Sequence, residues 1–116
     1  SQASMRSDLE RLLDIQEAIT RIETEVPNKP IHSLEPIVIS GILRYLQIIG
    51  EASAKISDQL KSAYPSVPWK VITRSRNVIV HQYFEVDMDI IESILKTEIP
   101  VLKQQIADII EQLNKQ

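Results

Sequence analysis

At 116 residues, 43% of them apolar and 25% charged, the chain has the composition of one globular domain and not of a disordered tail. It has no cysteine and only two histidines, His32 and His81, which excludes disulfide frameworks, thiolate metal sites and the common zinc patterns. A net charge of -3 excludes a nucleic-acid binder that works through overall basicity.

Ser1 to Ser4 precede Met5 and read as an expression remnant, with Met5 as the natural start and residues 5–116 as one helical domain. Leu9, Leu12, Leu13, Ile19 and Ile22 recur at three- and four-residue steps between charged positions, which predicts an amphipathic helix over Ser7 to Glu25. Pro27 and Pro30 end it, and His32 falls in the loop beyond, where a lone histidine is expected to be solvated surface.

Ser33 is the expected N-cap of a second helix running to about Ala63, with Glu35 and Pro36 in its first turn. Its first half is apolar on more than one side, so it calls for cover on more than one side, by the bundle alone or by the bundle and a second subunit. The run from Ile37 to Ile49 is interrupted by Ser40, Gly41, Arg44 and Gln47, and we read it as too short and polar for a membrane span. Gly50, Ala52, Ser53 and Ala54 are small enough to admit another backbone closely. With no signal sequence apparent, the cytoplasm is the expected location and no membrane partner is expected.

Tyr64 to Pro68 is a stiff turn, and Pro68 suits the first position of a third helix whose buried stripe is Trp69, Ile72, Ile79 and Val80. Phe84 to Asp87 is a link, with Asp87 capping a final helix that Pro100 should kink or divide. Nothing reads as a strand. The fold class is therefore all-α, an up-and-down antiparallel bundle of four to five helices.

The stretch Thr73 to Phe84 concentrates the reactive groups: Arg76, Asn77, His81 and Tyr83 read as R-x4-H-x-Y with a polar residue after the arginine. From Gln59 to Phe84 there is no Asp or Glu, while Lys61, Lys70, Arg74 and Arg76 are cationic. That is either chance clustering or a local site for an anionic ligand on an otherwise acidic chain. On an ideal helix Arg76 and Tyr83 fall within about 20 degrees, Asn77 and His81 within about 40, and Arg76 and His81 about 140 apart. Guanidinium binds phosphate in bidentate fashion and imidazole moves protons near neutral pH. Together they suit attack of a ribose 2′-hydroxyl on its own phosphodiester, which needs no metal. One histidine per chain supplies either an acid or a base, and a two-fold dimer would supply both. An R-x4-H spacing taken alone also fits a capped helix end.

Context narrows this. Asp14 to Ile19, Leu46 to Ala52, Tyr64 to Trp69, and Arg76 to Phe84 followed by Val86 and Asp87 resemble the HEPN domains of the HepT type, the toxin half of MNT/HEPN toxin-antitoxin modules. The resemblance covers nearly the whole chain, and Arg76, Asn77 and His81 satisfy the HEPN signature. It implies a HEPN-like bundle forming a homodimeric, metal-independent endoribonuclease of a type VII-like system, with no cofactor and an RNA cleft at the subunit interface. Arg76 and His81 would act on the scissile phosphate and Asn77 would orient them. It further implies that a cognate MNT-type nucleotidyltransferase antitoxin transfers AMP from ATP to Tyr83, blocking RNA with bulk and negative charge. Lys70 and Arg74 are candidate RNA-phosphate contacts or solvated surface. The competing reading is a non-catalytic helical partner, or substrate-binding subunit, of a nucleotidyltransferase.

Overall fold

The computed structural model describes residues 2–81 and 87–116, and its side chains except those of residues 2–6, 75 and 77–81. Among the described residues the protein is helical throughout, with no strand: α1 (Gln2–Glu25), a 3-10 turn (Ile31–Ser33), α2 (Pro36–Ala54), α3 (Asp58–Ala63), α4 (Trp69–His81), α5 (Met88–Ser93), a π turn (Ile94–Glu98) and α6 (Ile99–Asn114). The all-α expectation holds.

Helix α1 starts earlier than the apolar pattern predicts, at Gln2 instead of Ser7. Its buried face is Leu12, Ile15, Ala18, Ile19 and Ile22, at helical spacing. Leu13, expected in that stripe, points outward and is exposed, one residue out of phase with the core. Beyond Pro27 the chain makes the 3-10 turn, where both the backbone N–H and the hydroxyl of Ser33 donate to the Pro30 carbonyl, at 2.9 and 2.7 Å. Ser33 therefore closes this turn and does not cap α2. The cap position belongs to Glu35, whose extended backbone (φ -61°, ψ 148°) is what a following proline imposes.

A second correction concerns the length of α2. It ends at Ala54 and does not run to Ala63, because Ser57 turns extended and starts α3. The Ser57 hydroxyl accepts the Leu60 N–H at 3.2 Å, while the Asp8 carboxylate of α1 accepts the Ser57 N–H at 2.8 Å and its hydroxyl at 2.6 Å. A continuous helix would have sent that N–H to Ser53. The buried carboxylate diverts it.

Val67 in the turn before α4 and Trp69 at its first position are buried, the Trp69 indole donates to the Tyr64 carbonyl at 3.0 Å, and Pro68 sits one position outside the helix it was expected to begin. Asp87 caps α5 as expected, its carboxylate accepting from the Asp89 and Ile90 amides. Pro100 divides the last helix as expected: it cannot donate a helical hydrogen bond and its ring crowds the preceding turn. The chain responds with a π turn, in which the Ile99 N–H bonds the Ile94 carbonyl.

The bundle is organised around α2, which packs most extensively against α4 and then against α1; α1 packs in turn on α6. Leu12, Ile15, Ile19, Ile42, Ile106 and Ile109 are the most completely enclosed apolar side chains, each contributing on the order of 1.5–3 kcal/mol by burial. By length and composition alone α2 could cross a membrane, contrary to our sequence reading; here its apolar residues serve this core. The chain's own helices bury Ile39, Ile42, Leu43, Leu46 and Ile49 of α2, while Val38, Tyr45 and Ile48 are partly buried and Ile37 is 80% exposed.

Candidate functional site

The site is built where α4 crosses α2 with almost no space between backbones. A Cβ added to Gly50 would lie 2.6 Å from the Arg76 Cβ and 3.2 Å from the Ile72 carbonyl oxygen. Only a hydrogen side chain fits there. One turn on, the Thr73 hydroxyl donates to the fully buried Ser53 hydroxyl at 3.3 Å. The small residues of α2 thus admit a backbone closely, as expected, and the backbone is that of α4.

This contact fixes the root of the Arg76 side chain, which is 27% exposed. Its Nη1 donates to Oε2 of Glu51 at 3.3 Å, and Glu51 is 49% exposed. Its Nε is buried and has no partner among the described residues. A guanidinium carries five N–H donors in a planar fork, so Arg76 is anchored yet keeps donor capacity. The single open ion pair is weak at such exposure. Glu51 also corrects the sequence picture: the segment without acids along the chain is not without acids in space, because α2 brings a carboxylate to its principal arginine. The available signal was that Arg44, Gln47 and Glu51 are polar at three- and four-residue steps along a largely apolar helix.

Lys70 and Arg74 are exposed, and the Arg74 Nε donates to the Lys70 carbonyl at 3.3 Å. By helical register they do not join Arg76. Positions 70, 74, 77 and 81 of α4 fall within about 60 degrees of one another, whereas position 76 lies between about 100 and 160 degrees from each of them. The two cations thus share a line with the helical positions of Asn77 and His81. The side chains of Asn77 and His81, and Tyr83 altogether, lie outside the described residues.

His32 is exposed as expected but not solitary: its Nε2 lies 3.1 Å from Oδ1 of Asp89, tying the 3-10 turn to α5. Among the described residues no three His, Cys, Asp or Glu side chains converge as a metal site would require. A cleft of about 420 Å³ between α2, α4 and α6 is apolar, lined by Leu46, Ile49, Val71, Ile94, Val101 and Leu102 among others.

A family profile described as "Ribonuclease HepT-like" matches residues 10–109. The chain is 37% identical to "Putative RNase MJ1380" of Methanocaldococcus jannaschii over 57% of its own length and 61% of the relative's. It is 31% identical to "Gamma-glutamylcyclotransferase and putative RNase MJ0434" of the same organism over 96% of its length and 51% of the relative's. It is 40% identical to "Probable ribonuclease HepT" of Thermococcus cleftensis over 54% of its length and 57% of the relative's. The chain thus spans between about half and three fifths of these curated relatives. No solved structure matches.

Proposed function

Because the chain belongs to the HepT-like ribonuclease family, we propose that it is an endoribonuclease that cuts RNA without a metal ion, through Arg76, Asn77 and His81. The observation that carries the reading is the Arg76 guanidinium, held at its root by the Gly50 crossing while its buried Nε stays unpartnered. In the reaction the 2′-oxygen attacks its own phosphorus as His81 takes the hydroxyl proton. Arg76 stabilises the charge gathering on the non-bridging oxygens, and the bond to the 5′-oxygen breaks as that oxygen gains a proton. The products are a 2′,3′-cyclic phosphate and a 5′-hydroxyl. Asn77 orients the imidazole, and a second copy of the chain supplies the other proton-transfer group in a shared cleft.

In this proposal the protein is the toxin of a toxin-antitoxin pair and works in the cytoplasm. Its nucleotidyltransferase partner silences it by moving AMP from ATP onto Tyr83, adding an anion to the cationic helix. The Glu51 contact favours one other reading, a non-catalytic partner subunit in which Arg76 serves only to join two helices.

Incubating purified protein with RNA in the presence of a chelator separates the two. We expect wild type to leave cyclic-phosphate ends, and His81→Ala and Arg76→Ala to cut at least 100-fold more slowly. Equal cleavage by all three, or none by wild type, sinks the nuclease. Sedimentation at decreasing concentration tests the dimer. Mass spectrometry after incubation with the partner and ATP tests Tyr83, which should carry one AMP, whereas Tyr83→Phe should carry none.

A further inference from the structure

We infer that the polar groove between α1 and α2 is a binding site for the phosphodiester backbone of single-stranded RNA beside the cut. The inference rests on the ribonuclease reading and adds to it a second set of residues, on helices outside the signature motif.

The groove encloses about 220 Å³ and is lined by Arg11 and Asp14 of α1 and by Arg44, Gln47, Ile48, Glu51, Ala52 and Lys55 along α2 and its end. Positions 44, 48, 51 and 55 lie along one face at helical spacing and span about 16 Å, a length over which a nucleic-acid strand carries several phosphates. Three cations face two carboxylates, so the wall is net positive on a chain whose total is -3.

The carboxylates are already engaged. Asp14 lies 3.8 Å from the Arg11 guanidinium, and Glu51 lies 3.3 Å from that of Arg76. Arg44 and Lys55 are exposed and make no ion pair with any described residue, so their charge is left for a ligand. Among the described residues three buried side-chain polar atoms have no partner, and two of them are the Nε atoms of Arg11 and Arg76. Both belong to the arginines that bracket the groove through its two carboxylates. Each carboxylate of the groove is thus already matched by an arginine, and the charge that remains on its wall is positive. Among the described residues no aromatic side chain lines the groove. The contact is therefore to phosphate and not to stacked bases, and it carries little sequence preference. Glu51, which lines the groove, also pairs with Arg76 at 3.3 Å, so a strand bound at the proposed site of cleavage has the groove beside it.

The test uses a fluorescent 2′-O-methyl RNA oligomer, which cannot be cut, and reads its anisotropy over a salt series. Arg44→Gln/Lys55→Gln should bind about tenfold more weakly than wild type, with a salt slope smaller by about 1.4 and an unchanged melting temperature. Lys29→Gln/Lys96→Gln, which removes the same charge away from the groove, should bind as wild type does. Equal binding by wild type and the Arg44/Lys55 variant overturns the inference. So does an equal loss in both double variants, which would mean that only total charge matters, and so does failure of wild type to bind. Cleavage is read separately on ordinary RNA. Groove-dependent binding without cleavage leaves the groove standing and removes the nuclease; cleavage with equal binding does the reverse.

Discussion

Among the polar contacts that join helices in the described residues, two are built differently. At the α1–α3 joint, Asp8 is 5% exposed and receives two short hydrogen bonds from Ser57, at 2.8 and 2.6 Å. The Ser57 hydroxyl in turn accepts from Leu60, so the local donors are used. At the α2–α4 crossing, Arg76 makes one bond of 3.3 Å to a half-exposed carboxylate and keeps a buried donor unpartnered. A polar group that serves the fold is saturated, because an unmet buried donor destabilises it by roughly 1–3 kcal/mol. One that serves a ligand keeps capacity, and the fold carries that cost.

The contrast can be broken most forcefully at Asp8. Asp8→Ala should lower the unfolding free energy by about 2–3 kcal/mol in urea titration, leaving RNA cleavage per folded molecule unchanged. A loss of activity with no loss of stability would reverse the roles assigned to the two contacts. Next comes Gly50→Ala, expected to cost about 1–3 kcal/mol because the new methyl overlaps Arg76 and the Ile72 carbonyl. It should also slow cleavage, since α4 has to move and carries Arg76 with it.

Gly41, in the same helix, has nothing within 4 Å of an added Cβ. Gly41→Ala should therefore stabilise by up to about 1 kcal/mol, through helix propensity alone, with cleavage unaltered. Glu51→Gln sharpens the comparison from the other side. The pair is too exposed to matter much for folding, so stability should change by less than about 1 kcal/mol while RNA affinity rises several-fold as a competing carboxylate disappears.

The smallest expected effect is at the middle of α2, where the Tyr45 hydroxyl donates to both oxygens of Glu25, at 2.7 and 2.9 Å. This bond, and secondarily burial, raises the Tyr45 ionisation above its ordinary value. A raised acid contributes stability below its unfolded value and loses it as pH rises through the folded one. The difference ultraviolet titration between wild type and Tyr45→Phe should show a late-ionising tyrosine, and Glu25→Gln should bring it back toward the ordinary range.

Several features were legible along the chain because their causes are local. Asp87 caps within three residues of itself, Pro100 perturbs its own turn, and the 3.6-residue repeat marks the buried face of α1. The signature from Arg76 to Tyr83, and the family to which it points, were legible in the same way. The break between α2 and α3 was not, because Ser57 needs a carboxylate 49 positions away to leave the helix. Nor was the partner of Arg76, since Glu51 is 25 positions earlier and meets it only through the crossing of two helices. Arg44 and Lys55 were invisible for a related reason: on α2 they are scattered charges, and they become a groove only opposite Arg11.

Helical class, the punctuation by proline and the reactive motif were thus written in the order of residues, since hydrogen-bond geometry and side-chain periodicity act over one or two turns. The surroundings of Arg76, the joint at Asp8 and the cationic groove were settled by how helices distant in sequence came to rest on one another. Register between such helices depends on close packing at points like Gly50, where a single added methyl would change the outcome, and no local pattern encodes it.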